Sequence, residues 1–197
     1  MPVVRIAVAL FEDVEELDVA GPWEVFGCWA GEWPADGVEL VSVAEGREPI
    51  RCANGLVMLA DRTWEELGPL DVLVYPGGVG TRRQLGREHI RERVRERAAA
   101  GTLMTSVCTG SLVYADAGLL DGRPATTHHG SLELLRSLGT GIDVRAQERF
   151  VDDGDVVSAA GVSAGIDMAL HLVARLHSPA RAVAVRREIQ YDPQPPV

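Results

Sequence analysis

At 197 residues, 46% hydrophobic and 24% charged, the chain is long enough to bury a substantial core and suits one globular domain spanning 1–197. Its formal net charge of −10 argues against sequence-independent binding to nucleic acid or anionic membranes, and no apolar run is long enough to span a bilayer. Three cysteines (Cys28, Cys52 and Cys108) give neither a CxxC pair nor a disulfide framework, and the N-terminal MPVVRIAVALF lacks a charged leader or cleavage site, so a cytoplasmic protein with reduced thiols is expected.

The run VVRIAVALF (3–11) reads as a strand buried on both faces, the habit of parallel sheets. EDVEELDVAGPWEVFGCWAG then predicts a turn and a helix reaching Ala30, with Pro22 in its first turn and Gly31 at its end. VELVSVAE (38–45) is a second strand. PIRCANGLVMLAD (49–61) carries Asn54-Gly55 between two β-like runs, a hairpin signal. TWEEL (63–67) has the capping-box pattern of a short helix, Thr63 with Glu66.

DVLVYPGG (71–78) is another buried strand, ending in Pro76-Gly77-Gly78-Val79-Gly80. REHIRERVRERAAAG (87–101) predicts a helix with Ile90, Val94 and Ala98 inward. Its arginines alternate with Glu88, Glu92 and Glu96, the signature of a salt-bridged solvent face and not of a nucleic-acid contact. LMTSVCTGSLVYADAGLL (103–120) reads as strand, sharp turn, helix, with Cys108 at the turn. DGRPATTHHG (121–130) is a turn and short strand, and SLELLRSL (131–138) a helix capped by Ser131. VRAQERFVDDGDVVSAAG (144–161) is a hairpin about Asp153-Gly154. VSAGIDMALHLVARL (162–176) and SPARAVAVRREIQY (178–191) are two more helices, and a Pro-rich tail closes the chain. Strand and helix alternate, with two antiparallel additions, which predicts an α/β sandwich with a mostly parallel sheet. Ligands of such sheets bind beyond the carboxyl ends of the strands.

Three segments with suggestive chemistry end there. Cys108 sits at a helix N-terminus, where free N–H groups and the helix dipole are expected to favour the thiolate. Gly110 permits close approach of helix and strand, and Thr109 and Ser111 are polar where a core would take apolar groups. The loop Gly77-Gly78-Val79 offers backbone N–H groups as an anion cradle, with Gly78 and Thr109 as the pair for an oxyanion. It is neither a GxGxxG fingerprint nor a phosphate loop. Asp18 is the candidate proton carrier beside the sulfur; a plain helix N-cap is its alternative role. Glu15 and Glu16 are expected to face solvent. His128 is a candidate pocket residue, with a structural histidine as the alternative, and no spacing in the chain suggests a metal site. Cys28 and Cys52 are expected to be packing residues.

These stretches together resemble the DJ-1/PfpI superfamily, the carriers being FEDVEELDVAGPWEVF (11–26), DVLVYPGG (71–78), TSVCTGSLVYADAGLLDGRPATTHH (105–129) and AGVSAGIDMALHLVA (160–174). Within it the combination LDxxGP, PGG, SVCTGS and GxxAGID is similar to that of the isocyanide hydratases, with His129 standing where their pattern has Trp. The resemblance implies a flavodoxin-like three-layer sandwich, akin to class I glutamine amidotransferases, and a homodimer acting on a small molecule without cofactor. It also implies a Cys108 nucleophile served by Asp18, where the superfamily more often has Glu. Thr109 departs from the histidine that follows the cysteine in peptidase-like members, so proteolysis is not expected; a redox-sensing or ligand-binding regulatory protein, or cysteine-dependent glyoxalase-type carbonyl hydration, stands as the alternative to an isocyanide hydratase-like enzyme.

Overall fold

The computed structural model describes residues 3–193; residues 194–197 of the Pro-rich tail lie outside it. Seven strands form one sheet. They are β1 (Val4–Ala9), β2 (Val38–Ala44), β5 (Arg62–Thr63), β6 (Val72–Tyr75), β7 (Leu103–Val107), β10 (Phe150–Asp152) and β11 (Val156–Ala159), in the order β10-β11-β7-β6-β1-β2-β5. All neighbours are parallel except β10, which runs antiparallel to β11. The two halves of the sheet grow in opposite directions from the β1–β6 pair, which makes the carboxyl edge there a topological switch point.

The apolar strands are buried on both faces because helices cover both. Along β1, Ile6 and Val8 point to one core while Ala7 and Ala9 point to the other; β6 divides Val72 and Val74 from Leu73 and Tyr75 in the same way. The first core packs under α1 (Glu16–Glu32), α5 (Ala164–Leu176) and α6 (Pro179–Glu188), through Val25, Phe26, Met168, Leu172 and Val185. The second packs under α2 (Glu88–Ala99), α3 (Gly110–Asp116) and α4 (Leu132–Leu138), through Ile90, Val94, Leu112 and Leu135. The result is the three-layer α/β sandwich. Two short ribbons sit outside the sheet: β3 (Ile50–Arg51) with β4 (Val57–Met58), and β8 (Pro124–Ala125) with β9 (Asp143–Val144). Among the described residues no helix is long and apolar enough to cross a membrane.

Three local expectations are corrected. α1 begins at Glu16, so Pro22 lies inside the helix and not in its first turn. The Pro22 ring packs towards Gly165, and Gly21 towards Ile166, so the Gly-Pro step serves the contact between α1 and α5. Residues 63–67 make one turn, not a helix. The predicted bond from the Thr63 N–H to Glu66 Oε2 forms at 2.8 Å, but Gly68-Pro69 follows and nothing propagates. Ser131 precedes α4 without capping it, because its Oγ accepts Arg82 instead, at 3.1 Å. On α2, Arg91 pairs with Glu88 on its own helix. It also reaches Asp116 on α3, while Arg93 reaches Glu45 after β2, so the charged face also ties the helix to its neighbours.

Candidate active site around Cys108

The strand β7 delivers the chain to Cys108 and α3 leaves it one residue later. This turn is so tight that Cys108 takes φ 56°, a conformation costly for any residue with a side chain. Hydrogen bonds on both sides hold it there. The Cys108 N–H donates to Ala160 O at 2.7 Å and, more weakly, to Ala159 O at 3.1 Å. Its carbonyl accepts the hydroxyls of Thr127 at 2.8 Å and Ser111 at 3.1 Å. Gly110 is required: a Cβ there would stand 2.0 Å from Tyr75 O.

Asp18 approaches from the third residue of α1 and is not its N-cap; Glu15 occupies that position. Its carboxyl group is fully buried, 0% exposed, while the neighbouring Leu17 faces solvent. Oδ2 accepts the Gly77 N–H at 2.8 Å. Oδ1 has no hydrogen-bond partner among the described residues, which is uncommon for a buried carboxyl oxygen; the Cys108 thiol lies beside the carboxyl group and eases its ionisation. Burial pushes the Asp18 pKa up to about 7. Glu16 has a different task, accepting the Asn54 and Leu56 N–H groups and so fastening the β3–β4 ribbon to α1.

The thiol does not behave as its place at a helix start suggests. Burial, with the Asp18 charge second, pushes Cys108 up to about 12. The N–H groups of Thr109 and Val162 and the Thr109 hydroxyl reach the sulfur and pull the other way. They do not prevail, because α3 has only seven residues and the side chain is 6% exposed.

The glycine pair also has a different task from the expected one. The Gly78 N–H donates to Thr109 Oγ1 at 3.0 Å and is not free to hold an anion. Gly77 and Gly78 are there for close packing: a Cβ on Gly77 would lie 2.5 Å from Thr109 N and one on Gly78 2.4 Å from Asp13 O. Val79 is 59% exposed and lies on the rim. The His128 ring packs at a tilt against His129 and accepts the Gly130 N–H. It adjoins Gly161 but makes no hydrogen bond to Cys108 or Asp18. Among the described residues no three His, Cys, Asp or Glu side chains gather to hold a metal. Cys52 is buried at the ribbon turn, and Cys28 is half-buried on α1.

Two members of the site carry no local sequence signal. Val162 has φ 44°, strained for a β-branched residue, in the turn that brings its N–H to the sulfur. Thr81, fully buried, places its hydroxyl 3.1 Å from Thr109 Oγ1. Only the parallel pairing of β11 with β7 brings Val162 to the Cys108 elbow.

The family model of the DJ-1/PfpI family matches residues 4–175. The chain is 35% identical to an isonitrile hydratase of Pseudomonas putida over 98% of its own length and 81% of that protein's. It is 33% identical to the HTH-type transcriptional regulator CdhR of Pseudomonas aeruginosa, over 71% of this chain and 41% of the regulator. A crystal structure of a ThiJ/PfpI family protein from Pseudomonas syringae superposes with a TM-score of 0.89 at 31% identity, covering all of this chain and 78% of the other.

Proposed function

The chain belongs to the DJ-1/PfpI family, and from that membership we propose a cysteine-dependent enzyme of the isocyanide hydratase type, which converts an isocyanide and water into an N-substituted formamide. One observation carries the proposal: Cys108 shares a buried site with a carboxyl group whose Oδ1 has no hydrogen-bond partner among the described residues. The terminal carbon of an isocyanide needs both a nucleophile and a proton. A buried acid that is partly ionised at neutral pH and touches the thiol can supply the second from the first.

In the proposed sequence, ionised Asp18 takes the thiol proton as the sulfur attacks the terminal carbon. The S–C bond forms, and the carbanion it leaves takes the proton back from Asp18, giving a thioimidate on Cys108. Water adds to the thioimidate carbon, with Asp18 moving one water proton to the nitrogen. The adduct then collapses: the S–C bond breaks, the hydroxyl proton returns to sulfur, and the formamide leaves. The N–H groups of Thr109 and Val162 would stabilise the sulfur while it carries charge. The burial of Cys108, 6% exposed, favours this reading over a redox-sensing thiol, which would need access to oxidant.

The same proposal includes a homodimer, for which the exposed Leu17, Leu56, Val57 and Leu59 at and beside the β3–β4 ribbon offer a surface. The enzymatic part is tested by giving purified protein an aryl isocyanide and following formamide. Turnover by the wild type and none by Cys108→Ala is expected; equal rates in the two would overturn it.

A further inference from the structure

A cavity of about 250 Å³ opens at the switch point between β1 and β6, and neither Cys108 nor Asp18 lines it. Its floor is apolar and aromatic. Phe11 stacks on the buried Tyr75 with ring centroids 5.7 Å apart, and Leu10, Ile90 and Trp64 complete it. Its polar groups are distributed by charge. Glu12 and Glu45 follow the carboxyl ends of β1 and β2, while Arg83 and Arg87 come from the loop before α2.

The pairing of these charges leaves one of each sign to spare. Glu45 is held by Arg93 at 2.5 Å, and Arg83 by Asp13 at 2.8 Å. Among the described residues the carboxylate of Glu12 meets only a backbone N–H, that of Arg51 at 3.2 Å. Arg87 uses its Nε on Arg83 O and makes no ion pair among the described residues. Beside Arg87 lies Gln84, 8% exposed, whose Oε1 takes the Tyr75 hydroxyl. Its Nε2 donates to no group among the described residues, and Gln84 is one of the residues lining the cavity. A buried, oriented amide with two free N–H donors next to an unpaired guanidinium is a carboxylate receptor. An unpaired carboxylate on the same wall suits an ammonium group, and the aromatic floor suits an apolar side chain.

We propose that this cavity binds a small zwitterion, an α-amino acid with an apolar side chain, with its carboxylate on Arg87 and Gln84 and its ammonium group on Glu12. The site is separate from the Cys108 chemistry and does not depend on what that chemistry is. A simple anion fits less well, because it would meet two glutamates with no compensating cation of its own.

The test is a titration of the purified protein with L-phenylalanine and L-leucine, read by calorimetry and by Trp64 fluorescence against a Trp64→Phe control. Saturable binding is expected, and Arg87→Ala, at an exposed position, is expected to weaken it by about tenfold, the loss of one charge-assisted pair. Glu12→Gln should weaken the amino acids and leave the des-amino analogues 3-phenylpropionate and 4-methylpentanoate unaffected, and those analogues should bind the wild type about tenfold more weakly. Cys108→Ser should leave amino acid binding unchanged. Absence of saturable binding, indifference to Arg87→Ala, equal affinity for the des-amino acids, or loss of binding in Cys108→Ser would each overturn the proposal.

Discussion

Asp18 and Cys108 occupy one buried site in which burial makes both harder to ionise; the Asp18 charge further opposes ionisation of the thiol, while the thiol's hydrogen bond eases that of the carboxyl group. The carboxyl group is 0% exposed and its pKa rises to about 7; the thiol is 6% exposed and rises to about 12, with the Asp18 charge its second cause after burial. At neutral pH the pair therefore holds its proton on sulfur, with Asp18 close to half ionised. If Asp18 takes that proton, activity depends on the ionised carboxylate. The acid limb of kcat/KM for isocyanide hydration is then expected near pH 7, far above an ordinary aspartate. Measuring kcat/KM from pH 4.5 to 9 checks this. A limb near pH 4, or a flat profile across this range, would contradict it, and Asp18→Asn should abolish the activity.

The same burial predicts a stability effect that needs no substrate. The folded-state pKa of Asp18 lies above its ordinary 3.8, so the fold favours the protonated form. Its contribution is fully present below about pH 4 and is lost as pH rises through about 7. At about 1.4 kcal/mol per pH unit, the loss is on the order of 4 kcal/mol. Asp18→Asn, which is neutral at all pH, should exceed the wild type in stability at pH 8 and approach it at pH 5. Urea melts of both proteins at the two pH values measure the difference, and a gap that does not grow with pH would refute the expectation.

Two glycine-to-alanine changes should separate structural need from tolerance. At Gly110 a new Cβ would meet the Tyr75 carbonyl oxygen at 2.0 Å, and neither the strand end nor the elbow can yield. Gly110→Ala is expected to cost about 3 kcal/mol or to prevent folding. At Gly31, in the last turn of α1, a Cβ meets nothing within 4 Å. Gly31→Ala is expected to stabilise by about 0.5–1 kcal/mol. Thermal and urea unfolding of the two variants would show opposite signs.

Thr109 joins the glycine loop to the elbow through its hydroxyl, which accepts the Gly78 N–H at 3.0 Å and lies 3.1 Å from the Thr81 hydroxyl. Thr109→Val keeps the shape but leaves the buried Gly78 N–H without a partner, at an expected cost of about 1–3 kcal/mol. Thr109→Ser keeps the hydroxyl and should lose less than about 1 kcal/mol. Denaturation midpoints check the order, and equal losses in the two would show that the hydroxyl does not hold the loop.

The parts of the fold legible in the chain are those with one dominant physical cause. The runs 3–11, 71–75 and 103–107 are mostly apolar without alternation, and β1, β6 and β7 lie among the strands covered on both faces. The elbow at Cys108 was legible because an apolar run meets Thr-Gly-Ser with no linker. Where two causes compete, the local pattern misled. Pro22 signalled a helix start, but tertiary packing of Gly21 and Pro22 on α5 holds it inside α1. Thr63 and Glu66 form their capping bond, yet Gly68-Pro69 ends the turn.

The sequence by itself determined the layer architecture, the elbow and the nearness of Asp18 to the sheet edge, because periodicity and turn chemistry are local properties. Only the tertiary structure decided the electrostatics of the site. It buried Asp18 and Cys108 together, so desolvation outweighed the helix-start N–H groups and raised the thiol where the local setting predicted a thiolate. It gave the Gly78 N–H to Thr109 and brought the Val162 N–H, from the turn after β11, to the sulfur in its place. Desolvation and hydrogen-bond partnership depend on which segments close over a group, and those segments lie up to 144 residues apart, as Asp18 and Val162 do here.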